Sequence, residues 1–191
     1  MAQSDNQLIR DIVKGNEAAM ELLVKRHYTM VHSFVYRMVG EYEIAYDLTQ
    51  EIFIKMMKNI ERYDNRSGEF SRWILRIASN HCKDYFRSPV YRQRMEHKDI
   101  NDMEISLGDT VIDMFEKNER RKEIKRAIDN LPELQREAIL LKYYNDLKIR
   151  EISDITGDKE STIKSRIFNG IKNLKKIIGG DIGEEKGRNI K

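Results

Sequence analysis

Between Gly40 and Glu51 the chain carries no lysine or arginine, and Glu43, Asp47, Gln50 and Glu51 recur there at three- and four-residue spacing. At a helical period these four share one face, with Ala45, Leu48, Ile52 and Met56 opposite. The apolar face is core. Carboxylates four apart repel by a few tenths of a kcal/mol, and a solvated helix interleaves charges of both signs, so the acidic face suits docking against something basic. About twenty residues on, the chemistry reverses. Arg72, Arg76, Asn80, Lys83 and Arg87 share one face of a second helix, while Phe70, Trp73, Ile74, Ile77, Ala78 and Tyr85 fill most of the remainder. A basic stripe on an aromatic-rich core is a nucleic-acid surface.

A third group lies near the C-terminus. Ile149, Ile152 and Ile155 mark a short helix, Gly157 supplies a turn, and Asp158 can cap a longer helix running to about Ile178, which together make a helix-turn-helix. Ile163, Ile167, Ile171, Leu174 and Ile178 keep one face of the longer helix apolar. Ser161, Ser165, Asn169 and Lys172 lie opposite, flanked by Lys164 and Arg166. Recognition helices enter the major groove by their N-terminal part. That places Glu160, Ser161, Lys164 and Ser165, with Thr162 beside them, at base edges, and Arg166, Lys172 and Lys175 at phosphates.

Catalytic chemistry has no comparable footing. There is no phosphate-cradling glycine loop, no metal-ligand cluster, and no nucleophile and base at a recognisable spacing. Asp47 and Glu51 could pair on a divalent cation but have no third ligand nearby in sequence, and His27 and His32, five apart, read as surface or interface histidines. No catalytic residue, metal or cofactor is expected. Cys82, the one cysteine, falls on the apolar side of its helix and reads as a buried structural thiol.

The positioning elements follow from periodicity. Ser4 or Asp5 caps a short helix carrying Leu8, Ile9, Ile12 and Val13, which Gly15 and Asn16 stop. A longer helix spans Glu17 to Val39, ended by Gly40, with Leu22, Leu23, Val31, Phe34, Val35 and Met38 as its apolar positions. Turn formers from Tyr63 to Phe70 connect the acidic and basic helices. Ser88-Pro89 ends the basic helix, and Val90 to Glu116 shows no sustained amphipathic period. This stretch reads as a linker, acidic in its latter part through Asp99, Asp102, Glu104, Asp109, Asp113 and Glu116. Beyond it, Ile124, Ala127, Ile128 and Leu131 form one stripe, and Leu134, Ala138 and Leu141 begin the next after Pro132.

The sequence DLTQEIFIKMMKNIERYD from Asp47 to Asp64, followed by GEFSRWILRIASNHCKDYFR from Gly68 to Arg87, resembles region 2 of bacterial RNA polymerase sigma factors of the extracytoplasmic-function group, within the sigma-70 family. LPELQREAILLKYYNDLKIREISDITG from Leu131 to Gly157, and ESTIKSRIFNGIKNLKK from Glu160 to Lys176, resemble region 4 of the same family. The chain departs from the usual pattern in carrying Thr156 and Asp158, rather than apolar residues, beside the turn glycine. Asn169 and Gly170 also interrupt an arginine-rich pattern. The resemblance implies that Asp47, Gln50 and Glu51 bind the coiled coil of the largest polymerase subunit, and that region 4 also meets the polymerase flap. It implies that the loop after the acidic helix, with the start of the next, receives a base flipped from the minus-10 element. Asn65, Ser67 and Asn80 are then the polar pocket candidates; Arg72, Arg76, Lys83 and Arg87 hold the backbone, and Trp73 either stacks on a base or fills core. The Glu160 to Lys176 helix would read the minus-35 element, the acidic linker would thread toward the RNA exit path, and an anti-sigma factor is an expected partner.

Length and composition agree. A chain of 191 residues with 40% hydrophobic and 35% charged content, two prolines and ten glycines suits soluble helices rather than strands. The net charge of +3 announces nothing, but its distribution does: eight basic residues against three acids from Arg62 to Arg94, and six against one from Lys159 to Lys176. With no signal peptide, no membrane-spanning run and one cysteine, a cytoplasmic protein is the simplest reading. The expectation is an all-α chain of two small helical domains on a flexible linker. Region 2 would occupy residues 1–88, the linker 89–117, region 4 residues 118–178 and a disordered tail 179–191. A promoter-specificity subunit, not an enzyme, is the leading reading. The alternative is a helix-turn-helix regulator binding duplex DNA as a dimer, which leaves the acidic face and the basic aromatic helix without a purpose.

Overall fold

The structure is a computed structural model that describes residues 3–65, 68–96 and 115–188, and side chains throughout these except at 115–121 and 179–188. Every regular element among the described residues is helical. The chain divides into two compact units, α1 to α5 making up the first and almost all of α6 to α9 the second.

In the first unit α1 (Asp5–Val13) opens with a capping box. Ser4 accepts from the Gln7 backbone and Gln7 reaches back to the Ser4 backbone at 2.9 Å. Helix α2 (Glu17–Val39) is capped by Asn16, whose carboxamide accepts from Ala19 N at 3.2 Å, and ends at Gly40 with φ +81°, the left-handed conformation that glycine adopts without strain. Helices α3 (Tyr42–Asn59) and α4 (Phe70–Arg87) complete a bundle in which α2 packs on both and α1 lies against α2. Its core is the apolar faces named above: Leu23, Val31, Val35, Ala45, Ile52, Met56, Ile74 and Ala78 are buried, and Cys82 with them. Leu22 and Val13 remain exposed, each on the outward edge of its stripe.

The boundary after α4 differs from expectation. Pro89 does not begin a tether; it is the first residue of a further helix, α5 (Pro89–Glu96). Proline suits this position, because its missing N–H is one that a first turn leaves unpaired, and the Ser88 hydroxyl accepts from Tyr91 N at 3.2 Å as an N-cap does. Tyr91 packs edge-on against Tyr85 and Phe86, and Arg94 pairs with Glu41 at the start of α3. The acidic stretch from Asp99 to Asp113 lies outside the described residues, as does Ser67.

The second unit begins with α6 (Phe115–Asp129), three residues before the expected start. It continues through α7 (Glu133–Ile139), a turn of π-helix over Leu140–Tyr144, α8 (Ile149–Thr156) and α9 (Glu160–Arg188). Ala127, Ile128, Leu131, Ala138, Leu141, Ile152, Ile155, Ile163 and Ile167 are buried between them, whereas Ile124 and Leu134 are exposed. Periodicity places the end of α9 near Ile178, with a disordered tail beyond. The backbone instead stays helical to Arg188. No proline follows to remove an N–H, and Glu184, Glu185 and Lys186 are good helix formers, which offsets the cost of the glycines among them.

Candidate nucleic-acid interface

The acidic face forms as the spacing requires. Ala45, Leu48, Ile52 and Met56 are buried, and Glu43, Asp47, Gln50 and Glu51 are exposed on the opposite side of α3. Glu51 is not a bare charge. Its Oε2 lies 2.7 Å from Nε2 of His81, which arrives from α4, and Nδ1 of His81 lies 2.7 Å from Lys55 Nζ. His81 was absent from the sequence candidates. Because an ammonium can only donate, Nδ1 is the acceptor and Nε2–H donates to Glu51, so the geometry suits a neutral ring. Burial lowers the His81 pKa first, then the Lys55 charge, against the opposing pull of Glu51 and Asp84.

On α4, Arg76, Asn80 and Arg87 are exposed and Lys83 is half-buried, all along one face. Phe70, Ile74, Leu75, Ala78, Cys82 and Phe86 are buried behind it. Of the two roles that the sequence left open for Trp73, packing is the one on view. Its ring is half-buried and packs against Tyr63 at 5.5 Å and Phe70 at 5.6 Å.

Before α4, the loop closes through a hydrogen bond from Tyr63 Oη to Gly68 O at 2.9 Å. Gly68 has φ +132°, and a Cβ there would stand 2.9 Å from the Arg72 guanidinium, so glycine lets Arg72 lie across the loop. A cavity of about 530 Å³ opens beside it, within the range of ligand pockets. Asn65, one of the pocket candidates, lines it, as does Arg72, which the sequence reading put on the backbone; Asn80, another pocket candidate, and Arg76 do not line it. Its other walls are Glu69, Phe70, His27 of α2 and the first turn of α1. That first turn was not a sequence candidate, because nothing in local spacing brings Ser4 to Asn6 near Asn65.

In the second unit, Glu160, Ser161, Lys164, Ser165, Asn169 and Lys172 are exposed along α9, and Thr162 is half-buried. Arg166 is more committed: its Nη1 lies 2.5 Å from Asp158 Oδ2, so part of its charge is balanced within the turn. Ser153 Oγ donates to Asp158 O at 2.6 Å, tying α8 to the same corner. One further side chain belongs to the exposed face. Phe168 is 70% exposed, and Ser161, Lys164, Ser165 and Phe168 are spaced like the four base-reading positions of a homeodomain helix. It lies within the stretch already placed on the wheel, four residues after Lys164, but its apolar character set it apart from the polar face. Gly170 is buried on the other side, where a Cβ would meet Ile139 Cγ1 at 3.0 Å, and Asn173 Nδ2 donates to Gln135 Oε1 at 2.9 Å. The glycine that interrupts the expected basic pattern is where α9 approaches α7.

Among the described residues no helix is long and apolar enough to cross a membrane, and no three His, Cys, Asp or Glu side chains are grouped to hold a metal ion.

Comparison with known proteins matches each of the two units. The family model for Sigma-70 region 2 matches residues 23–89, and that for Sigma-70, region 4 matches residues 121–174. The ECF RNA polymerase sigma factor SigW of Bacillus subtilis is 32% identical over 178 residues, covering 89% of this chain and 94% of SigW. The RNA polymerase sigma-H factor of Pseudomonas aeruginosa is 28% identical, over 92% of this chain and 94% of the relative. The fold matches the sigma factor RpoE of Bartonella quintana, solved with the anti-sigma factor NepR, at a TM-score of 0.67 and 19% identity, covering 83% of this chain and 96% of that one. CnrH, solved with the cytosolic domain of CnrY, gives the same TM-score at 18% identity over 94% of this chain and 99% of CnrH. The chain belongs to the extracytoplasmic-function group of sigma-70 family RNA polymerase sigma factors.

Proposed function

We propose that this sigma factor divides its work among three surfaces. It binds core RNA polymerase through the α3 face of Asp47, Gln50 and Glu51. It engages and opens the minus-10 element with the Asn65 to Arg87 segment, and reads the minus-35 element with the exposed face of α9. The observation that carries this reading is the pairing of an acidic, solvent-facing helix with an adjacent basic, aromatic one across a shared core. Arg72, Arg76, Lys83 and Arg87 hold phosphates and so give affinity without choice of sequence, while Asn65 and Asn80 contact bases and Trp73 presents a ring face to them. Extruding a base costs a few kcal/mol, which a polar-lined cavity can return. On α9, Glu160, Ser161, Thr162, Lys164, Ser165 and Asn169 meet base edges, and Arg166 and Lys172 meet phosphates. Phe168 is placed for the methyl group of a thymine.

The chain acts as a specificity subunit and leaves bond formation to the polymerase, working in the cytoplasm where core enzyme and promoter DNA meet. An anti-sigma factor that covers the same surfaces is its regulatory partner; RpoE of Bartonella quintana was solved with the anti-sigma factor NepR. Asp47 is exposed, so Asp47→Lys should leave the helical content and the urea midpoint unchanged while abolishing co-purification with core polymerase. A folded Asp47→Lys protein that still binds core polymerase would remove the α3 face from this role.

A further inference from the structure

Loop and α4 residues make only part of the cavity beside Asn65. The rest comes from Ser4, Asp5 and Asn6, some sixty residues earlier in the chain, together with His27. This wall is firmly placed. The Asp5 carboxylate bridges two side chains of α2, with Oδ1 2.5 Å from Arg26 Nη1 and Oδ2 2.8 Å from His27 Nε2, and Arg26 Nη2 donates to Gln3 O at 2.8 Å. His27 is buried with its ring edge-on to Phe70 at 4.9 Å, so α1, α2 and the base of α4 are fixed together at the cavity floor. The Ser4 hydroxyl is engaged in the capping box and Asp5 with Arg26 and His27. Asn6 is exposed at the wall, and its amide offers both a donor and an acceptor.

Resting on the reading of this cavity as the minus-10 base pocket, we propose that Asn6 is a specificity-determining residue which contacts the extruded base directly. The lining carries acceptors, the Glu69 carboxylate among them, and donors, the Arg72 guanidinium among them, so it can pair with the polar edge of a base. A carboxamide can both donate to and accept from one base edge, as asparagine does with adenine in duplex recognition.

The test is run-off transcription by core polymerase reconstituted with the full chain, on templates carrying each base in turn at every minus-10 position, for wild type, Asn6→Ala and Asn65→Ala. Circular dichroism confirms that each variant folds. Wild type should favour one base at one minus-10 position by roughly tenfold, and Asn6→Ala should reduce that preference to about twofold there and nowhere else. If Asn65→Ala loses the preference and Asn6→Ala keeps it, the pocket stands and the contribution of α1 is refuted. If neither variant changes it, the pocket reading itself falls. A wild type with no base preference at any minus-10 position would overturn the proposal.

Discussion

Gly170 offers the sharpest test of how the recognition helix is seated. It lies inside α9, where an alanine would ordinarily stabilise the helix by about 0.5–1 kcal/mol. A Cβ at this position would stand 3.0 Å from Cγ1 and 3.3 Å from Cδ1 of Ile139, which is itself 3% exposed and has little room to move. Overpacking of this kind costs about 1–3 kcal/mol, so Gly170→Ala should destabilise the second unit by about 1 kcal/mol net, and Gly170→Val by more. The chain carries a single tryptophan, Trp73, which lies in the first unit. In urea, its fluorescence follows the first unit, whereas far-ultraviolet circular dichroism follows both. The expected result is a lower circular-dichroism midpoint for the second unit with the Trp73 transition unmoved, accompanied by weaker binding to minus-35 duplex as α9 shifts off α7. A higher midpoint for Gly170→Ala would show that Ile139 gives way freely and would refute the close-packing argument.

Other perturbations separate the remaining roles. Lys164→Ala should change preference among minus-35 sequences, while Arg76→Ala should weaken minus-10 engagement across all sequences; a uniform effect from Lys164→Ala would take it out of base reading. Replacing each minus-35 thymine by deoxyuridine, which lacks the methyl group, should weaken wild-type binding at one position and leave Phe168→Ala unaffected there; equal losses in both proteins would exclude that contact. Binding should lose about 0.9 log units per log of salt for each phosphate contacted, so Arg76→Ala should flatten the salt slope by about one unit, and an unchanged slope would place it off the backbone. His81 titrates below its ordinary value of 6.5 because of burial and Lys55. The unfolded chain therefore takes up a proton first as pH falls through about 6.5, and first-unit stability drops there and levels off below the folded pKa. His81→Gln, which can still accept from Lys55 and donate to Glu51, should reduce this loss in Trp73-monitored unfolding; an unchanged pH dependence would place the titration elsewhere.

What the sequence made legible was set by local periodicity. Ala45, Leu48, Ile52 and Met56 are buried and Asp47 and Gln50 exposed, as a period of 3.6 requires, and Gly40 stops α2 where a left-handed residue is needed. Proline was ambiguous in the same local terms: Pro89 stops α4 and starts α5, and only the Ser88 cap distinguishes the two. Features made by distant residues were not legible. His81 meets Glu51 from thirty residues away, the first turn of α1 meets Asn65 from about sixty, and Gly170 meets Ile139 across the unit. In each case a polar or small residue has an ordinary local reading, and its use comes from the helix packed against it. Arg166 shows the same limit in the other direction, since its placement on α9 says nothing of the Asp158 carboxylate beside it.

The most direct measurement is run-off transcription with core RNA polymerase, with and without this chain, on a library of randomised promoters. Initiation from a subset that shares two spaced motifs is the expected result, with Asp47→Lys abolishing it on every template and Lys164→Ala altering only the upstream motif. Transcription unchanged by the chain on all templates, while it still binds core polymerase, would contradict promoter selection by these surfaces.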